Sequence, residues 1–395
     1  MVDDRSGAQR LGPQPWLDGE GAQAVAAALD VAGGTTRLVG GAVRDGLLGL
    51  PVSDIDFATR LMPSEVIARL MAAGLKAVPT GIAHGTITAV APGFHAQVTT
   101  LRRDVTTDGR HATVAFTDDW REDAARRDFT INALFANPLT GEIDDFFSGL
   151  DDLRERRVRF IRPPLDRIAE DHLRILRFFR FHARFAAGPP DAAGLAACIA
   201  RAGDLTILSS ERIRDEILKL LVVVDPAPTL KVMLDNGILA VVLPELDSAR
   251  VARLARLCFD EGALGVRACA VRRLAALLPE DGIILDSIAT RLRLSNADRK
   301  RLVLTAERHQ SLGEMAYRDG LESAIDRGLL NQDTNLQAFV TTWSKPVLPV
   351  TGKHLIARGV PVGPEVSRRL AEIERAWIAA GFPVDLELIL AQVLS

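Results

Sequence analysis

The chain is poor in cysteine, in aromatic residues and in lysine. Three cysteines, 5% aromatic residues and six lysines occur among 395 residues. Cys198, Cys258 and Cys269 lie in apolar, helix-like surroundings without paired spacing, so we expect core thiols in a reducing compartment rather than disulfides or metal ligands. No apolar run is long enough to span a bilayer, and no secretory signal precedes Trp16. We therefore expect a cytoplasmic protein with no membrane partner.

The charge is nearly balanced, with a net charge of −3 at pH 7. The surface as a whole is therefore not that of a polyanion binder. Nearly all basic residues are arginine, which has two interpretations: a biased genome composition, or the planar bidentate contacts that arginine makes with phosphates and bases. The length of 395 residues exceeds the usual limit for one core, so two or more domains are expected.

Hydrophobic periodicity separates a mixed N-terminal part from a helical remainder. Alternation predicts strands over residues 86–90 and 95–101, and helical periodicity then extends over 166–185 and most of the rest. The predicted fold class is α+β: a head in which a mixed sheet packs with helices, followed by an elongated all-helical neck, body and tail. The segments are a flexible N-terminus over 1–25, the head over 26–148, the neck over 149–222, and the body and tail over 223–395.

Two carboxylates one residue apart, Asp54 and Asp56, follow a glycine pair, Gly40 and Gly41. In an extended strand the side chains of Asp54 and Asp56 share one face, where they repel each other unless a cation lies between them. A pair of divalent metals suits that geometry, and the glycine turn leaves backbone N–H groups free to approach a phosphate chain. The combination predicts nucleotidyl transfer. Taken alone, the aspartates have an ordinary interpretation as turn residues before a surface strand.

Two further motifs follow. Residues 126–134 read Arg-Arg-Asp-Phe-Thr-Ile-Asn-Ala-Leu, and residues 170–174 read Glu-Asp-His-Leu-Arg. On one helix Asp171 and Arg174 would be neighbours at i, i+3, and a basic stripe would continue from Arg174 through Arg177, Arg180 and Arg184. The alternative for this stripe is a solvated, salt-bridged helix face.

In this order the motifs resemble those of the class II tRNA nucleotidyltransferases, which comprise the CCA-adding enzymes and the bacterial poly(A) polymerases; the resemblance covers roughly residues 35–220. It implies a nucleotidyltransferase head, base recognition in the neck and RNA binding by the body and tail. The implied activity is template-independent, Mg²⁺-dependent addition of C and A to the 3′ end of tRNA from CTP and ATP. The alternatives are a poly(A) polymerase that adds AMP to RNA 3′ ends and a noncatalytic RNA-binding protein on the same scaffold. No protein partner is evident.

The resemblance also implies roles for particular residues. Asp54 and Asp56 would be the catalytic metal ligands, and the remaining nucleotide-binding positions would be Gly40, Gly41, Arg44, Arg127, Asp128, Asn132, Asp171, Arg174, Arg177 and Arg180. Within this set the glycines and Arg44 would hold the triphosphate. Arg127, Asp128 and Asn132 would orient the nucleotide, with a scaffold role as the alternative for Arg127.

The pair Asp171 and Arg174 suits the selection of bases. A carboxylate accepts a hydrogen bond from an exocyclic amino group, and a guanidinium donates to the adjacent ring nitrogen. Cytosine and adenine both present this amino donor beside an acceptor, whereas uracil and guanine present a carbonyl beside an N–H. One such pair would therefore accept CTP and ATP and reject UTP and GTP.

The chain departs from the family pattern at Gln97, where relatives commonly carry a glutamate on a neighbouring strand. A neutral amide does not supply a third carboxylate. Either Asp54 and Asp56 suffice for the metals, as we expect, or another acidic group contributes.

Overall fold

The computed structural model describes residues 10–108, 111–307 and 311–394. They form two compact units. The first contains the described residues up to Leu208 together with Asn236–Val242, and the second contains Ser209–Asp235 and the described residues from Leu243 onward. The four segments predicted from the sequence stay a prediction. Within the described ranges, no helix is long and apolar enough to cross a membrane.

The strands all lie in the described part of the first unit. They are β1 (Thr36–Val39), β2 (Asp56–Thr59), β3 (Lys76–Gly81), β4 (Thr86–Ala91), β5 (Phe94–Thr100), β6 (Arg102–Asp108), β7 (His111–Phe116), β8 (Leu134–Ala136) and β9 (Ile143–Asp145). Seven of them form one sheet in the order β3-β4-β5-β2-β1-β8-β9, and β6 pairs with β7. Among the strands of the described residues, only β2 and β5 pair in parallel. The predicted mixed sheet is therefore confirmed.

The helices of the described chain follow in sequence order. They are α1 (Glu20–Ala28), α2 (Gly41–Leu47), α3 (Pro63–Ala72), α4 (Trp120–Ala125), α5 (Gly149–Arg154), α6 (Pro164–Glu170), α7 (Arg174–Phe185), α8 (Ala192–Ala200), α9 (Ser210–Leu221), α10 (Ala227–Asp235), α11 (Ile238–Val242), α12 (Ser248–Ala263), α13 (Ala270–Ala276), α14 (Gly282–Arg291), α15 (Asn296–Leu304), α16 (Leu312–Asp319), α17 (Leu321–Leu330), α18 (Leu336–Thr342), α19 (Gly352–Ala357), α20 (Pro364–Ala379) and α21 (Glu387–Leu394). After β9 every regular element of the described residues is helical, as the periodicity predicts.

Strands β4 and β5 form the hairpin that alternation predicts. The turn between them contains Gly93 with φ of +68°, a conformation that suits glycine. Ala96 and Val98 of β5 are buried, whereas Gln97 between them is exposed. The buried face of this hairpin packs against α1 and α3.

The predicted flexible N-terminus contains the start of a helix in its last residues. Helix α1 begins at Glu20, and Ala22, Val25 and Ala26 are buried. These small apolar side chains face the sheet, so their burial stabilises the helix within the predicted loose segment. Residues 1–9 of that segment lie outside the described residues.

The prediction of one continuous helix over residues 166–185 is wrong. Helix α6 ends at Glu170, and Asp171 is extended with φ of −156° and ψ of 106°. The Asp171 carboxylate accepts a hydrogen bond of 3.1 Å from the backbone N–H of Leu173. Such a local side-chain contact competes with helical hydrogen bonds, which explains the break. Asp171 and Arg174 therefore do not lie on one helix.

The second unit is held by a buried ionic network as well as by apolar packing. Arg272 is 1% exposed and donates to Glu261 at 2.7 Å and to Asp326 at 2.9 Å. Arg273 donates to the same Glu261 and to the backbone carbonyl of Leu221 at the end of α9. The network joins α9, α12, α13 and α17, and each buried charge in it has a partner of opposite sign.

We expect Gly149→Ala to destabilise the first unit. An added Cβ would lie 2.3 Å from the carbonyl oxygen of Thr130, so the start of α5 must move away from the turn that carries Asn132. The expected loss in unfolding free energy is about 1–3 kcal/mol, measured by urea unfolding.

Gly203→Ala is the matched control, because nothing lies within 4 Å of its added Cβ. Equal stability of the two variants would contradict the packing that the structure shows at Gly149.

Candidate active site

The two aspartates lie at one end of the parallel strand pair. Asp56 is the first residue of β2 and is half-buried, whereas Asp54 lies in the preceding loop and is exposed. Burial raises the pKa of the Asp56 carboxyl; the charge of Arg127 lowers it and the charge of Asp54 raises it. The two carboxylates and the Arg127 guanidinium are thus close enough to influence one another. Gln97 of β5 pairs in register with Asp56.

The glycine turn lies at the start of α2. Gly40 has φ of +72°, and its N–H donates to the carbonyl of Leu134. A Cβ on Gly40 would lie 3.3 Å from Nη1 of Arg127. The lack of a side chain therefore lets the Arg127 guanidinium approach the backbone of the turn. This places a cation beside both the glycine turn and Asp56.

A buried carboxylate fixes the direction of Arg127. Asp123, in α4, is 1% exposed. Its Oδ2 accepts from Nη2 of Arg127 at 2.9 Å, and its Oδ1 accepts from Nε of Arg126 at 2.8 Å and from the backbone N–H of Arg102. Because Nε and Nη2 of Arg127 bind Asp123, Nη1 is the nitrogen directed at Gly40. Burial raises the pKa of the Asp123 carboxyl, but Arg127 and Arg126 lower this pKa by a larger amount, so the net shift is downward.

The side chain of Arg44 is buried, whereas we expected it to extend towards a triphosphate. It is 6% exposed, with Nε bound to Asp45 at 2.8 Å and Nη1 bound to the side chain of Asn132. Its guanidinium lies over the ring of Phe185, at 4.2 Å from the centroid. These contacts favour a supporting role, in which Arg44 fixes the turn through α2.

Asp128 and Asn132 form a second buried group. The Asn132 amide donates to Oδ1 of Asp128 at 2.9 Å, and Nε of Arg177 donates to Oδ2 at 2.8 Å. Arg177 belongs to α7, so this ion pair joins the motif at residues 126–134 to that helix. The structure thus brings together three of the predicted nucleotide-binding residues.

The predicted pair for base selection has a different geometry from the expected one. Asp171 follows α6 and Arg174 begins α7. Nη1 of Arg174 donates to Oε2 of Glu170 and, at 2.6 Å, to the backbone carbonyl of Arg167. Arg174 is therefore held by Glu170, which the sequence interpretation did not single out.

The rest of the basic stripe packs on aromatic rings. The Arg180 guanidinium lies 4.6 Å from the centroid of Phe181, and that of Arg184 lies 4.9 Å from the centroid of Phe185. Arg184 also forms an ion pair with Asp45 at 3.4 Å. Arg184 thus combines a cation–π contact with an ion pair, and Arg180 makes a cation–π contact.

Sequence reasoning missed three residues that position the site: Asp123, Arg167 and Glu170. A signal exists for Asp123, which precedes Arg126 and Arg127 by three and four residues, the spacing of helical ion pairs. Glu170 likewise precedes Arg174 by four residues. Arg167 precedes Glu170 by three residues, which is also a helical ion-pair spacing, but no sequence signal identifies its contact with the backbone of a segment 40 residues away.

A mixed sheet that presents two carboxylates beside a glycine turn and an arginine is the arrangement expected of a nucleotidyltransferase. Comparisons with known proteins agree. The family described as Poly A polymerase head domain matches residues 36–159, and the family described as probable RNA and SrmB-binding site of polymerase A matches residues 191–250.

Relatives cover almost the full chain. The sequence is 32% identical over 381 residues to CCA tRNA nucleotidyltransferase 1, mitochondrial, of Homo sapiens, across 90% of this chain and 86% of the relative. It is 32% identical to the CCA-adding enzyme of Streptococcus gordonii, across 92% of this chain and 94% of that relative. The crystal structure of the Bacillus stearothermophilus CCA-adding enzyme in complex with CTP superposes with a TM-score of 0.72 at 26% identity, across 93% and 94%. The chain belongs to the CCA tRNA nucleotidyltransferase family.

This family implies dependence on a divalent metal. The carboxylates of Asp54 and Asp56 fit such an ion, because hard cations prefer oxygen ligands and Asp56 is a half-buried carboxylate beside a second one. In the described part of the chain, no group of three or more His, Cys, Asp or Glu side chains could hold a metal. The donor set therefore suits an ion that takes one or two carboxylates and completes its shell with water and phosphate oxygens.

The stability of the first unit should depend on Asp128 in acid. Burial alone would raise its pKa, but the charge of Arg177 and hydrogen bonds from Asn132, Arg177 and the Phe129 N–H lower the pKa to about 2. A folded-state pKa below the unfolded value stabilises the protein above the unfolded pKa, and this contribution is lost as the pH falls through the folded one. We expect Asp128→Asn to lose up to about 2 kcal/mol of unfolding free energy at pH 7, and the difference from wild type to shrink towards pH 2.

Urea unfolding at several pH values tests this expectation. Asp151→Asn is the control, because Asp151 is an exposed residue of α5 paired with Arg154. A difference between Asp128→Asn and wild type that is constant with pH would contradict the account.

Proposed function

We propose that this protein adds C and A nucleotides to the 3′ end of tRNA, using CTP and ATP, without a nucleic-acid template. The observation that carries the proposal is the placement of Arg127. Asp123 holds its guanidinium so that one nitrogen faces the glycine turn, while its charge acts on Asp56. A triphosphate at this turn would meet a fixed cation and would present its α-phosphate near the aspartate pair.

The chain's own residues hold the ion and orient the substrates. Asp54 and Asp56 would hold Mg²⁺, which would lower the pKa of the RNA 3′ hydroxyl and neutralise charge on the phosphates. Arg127 orients the triphosphate for in-line attack by this hydroxyl, with pyrophosphate as the leaving group. Asp123 and Arg44 keep Arg127 and the glycine turn in place, so the phosphates bind to groups that are already oriented.

Selection of the base is proposed for Asp171 and Arg174. The side chain of Arg174 is 14% exposed and is anchored at Nη1 by Glu170 and the Arg167 carbonyl. An anchored guanidinium donates in a fixed direction, which favours a base with an acceptor at that ring position. Cytosine and adenine satisfy this requirement together with an amino donor for Asp171.

The helical second unit is proposed to hold the tRNA. The match of residues 191–250 to a probable RNA-binding site of polymerase A supports this assignment, because more than half of these residues belong to the second unit. We also propose a cytoplasmic location, because Cys198, Cys258 and Cys269 are free thiols, which suit a reducing compartment.

Asp54→Asn and Asp56→Asn should each abolish nucleotide addition with little effect on stability. Each change removes a charged oxygen ligand while the side-chain volume stays nearly the same. The measurement is incorporation of CTP into a tRNA that lacks its CCA end, with thermal unfolding as the check on folding.

Asp151→Asn, which alters an exposed carboxylate of α5, should keep wild-type activity. Substantial Mg²⁺-dependent incorporation by Asp54→Asn or Asp56→Asn would refute the assignment of the metal ligands.

Arg174→Ala should weaken discrimination between CTP and UTP. The variant removes the donor to the ring nitrogen, and good bidentate base contacts are worth roughly 1–3 kcal/mol, or about one to two orders of magnitude in selectivity. The measurement is kcat/KM for each of the four nucleotides.

Arg154→Ala removes an exposed arginine of α5 and serves as the control. If Arg174→Ala loses rate but keeps the preference for CTP and ATP, base selection lies elsewhere.

A further inference from the structure

Arg167 is among the most buried side chains of the protein, although it is charged. It belongs to α6 and is 1% exposed. A buried guanidinium needs partners for its donors, because leaving them unpaired is costly. The partners of Arg167 therefore indicate what its burial accomplishes.

These partners belong to two different parts of the nucleotide site. Nη2 of Arg167 donates to the backbone carbonyl of Arg126 and, at 2.8 Å, to that of Arg127. Nη1 donates to Oε2 of Glu170. Arg167 thus binds the backbone of the arginine that faces the glycine turn and, on its other side, the carboxylate that anchors Arg174.

The connection to Arg174 is double. The same Oε2 of Glu170 accepts from Nη1 of Arg174, and the backbone carbonyl of Arg167 accepts from that nitrogen at 2.6 Å. The side chain and the backbone of Arg167 both contribute. A shift of Arg167 would therefore move Arg174 relative to Arg127.

We propose that Arg167 is a positioning residue that sets the distance between the phosphate-binding and base-selecting parts of the site, so that Arg174 selects the base only of a nucleotide whose triphosphate is bound at Arg127. This inference rests on the proposed function. Arg167 touches neither base nor phosphate in this scheme and acts through the Arg127 backbone and through Glu170.

The fork of the guanidinium explains why lysine would not replace it. Two terminal nitrogens diverge from one planar group, so one reaches two carbonyls while the other reaches a carboxylate. A lysine has a single ammonium on a flexible stem and cannot span these partners in the same geometry.

The test compares Arg167→Lys, Arg174→Ala and the double variant. Dissociation constants of CTP and UTP are measured without RNA, and kcat and KM are measured with a tRNA that lacks its CCA end. We expect Arg167→Lys to reduce the preference for CTP over UTP by about tenfold and to raise KM for CTP more than it lowers kcat. The double variant should be no less selective than Arg174→Ala alone, because both changes disable the same group of contacts between Arg167, Glu170 and Arg174.

Arg272→Lys is the matched control, since Arg272 is also 1% exposed and also binds carboxylates and a backbone carbonyl. It should lose thermal stability and keep its selectivity. If Arg167→Lys does not fold, Arg167→Gln is tested in its place, because its neutral amide still donates to a backbone carbonyl but does not also bind Glu170. Reduced selectivity of Arg167→Gln supports the inference, and unchanged selectivity overturns it.

The outcomes separate this inference from the proposed function. A preference for CTP that is lost in Arg174→Ala but kept in Arg167→Lys overturns this inference alone. A preference kept in both variants overturns base selection by Arg174 as well. Additive losses in the double variant would show a general structural role for Arg167 and would also overturn the inference.

Discussion

The site depends on the cost of burying charge. Asp123 and Asp128 are buried, and each is tolerated because it pairs with arginine: Asp123 with Arg126 and Arg127, and Asp128 with Arg177. Pairing also fixes each arginine: Arg127 with one nitrogen at the glycine turn, and Arg177 against the motif that contains Asp128. The buried carboxylates need arginine partners for the protein to fold. The same pairing holds these arginines in the orientation that a triphosphate needs.

Pairing of buried charges also connects phosphate binding with base selection. Arg167 is buried between the backbone of Arg127 and the carboxylate of Glu170, and Glu170 in turn holds Arg174. A protein that selects bases without a nucleic-acid template must recognise the base with its own groups, which in the proposed scheme are the side chains of Asp171 and Arg174. Fixed distances between those side chains are therefore part of its specificity. Ordered ion pairs provide such distances, since each guanidinium is planar and binds in defined directions.

Local patterns in the sequence predicted much of the fold. They could not predict contacts between residues that are distant in the sequence. The hairpin around Gly93 follows from alternation and a turn glycine, and the helical character of the remainder follows from periodicity. The break at Asp171 comes from a side-chain contact with the N–H of Leu173 that competes with the helix. The burial of Arg44 against Phe185 depends on α7, which is distant in sequence, so its motif position alone suggested an exposed role.

The most direct test of the account is the sequence of the product made by the wild-type protein. A tRNA lacking its 3′ end is incubated with Mg²⁺ and all four nucleotides, and the 3′ ends of the products are sequenced. The account predicts addition of C and A only. A tail of repeated A, incorporation of U or G at comparable frequency, or equal extension of an unstructured RNA would contradict it.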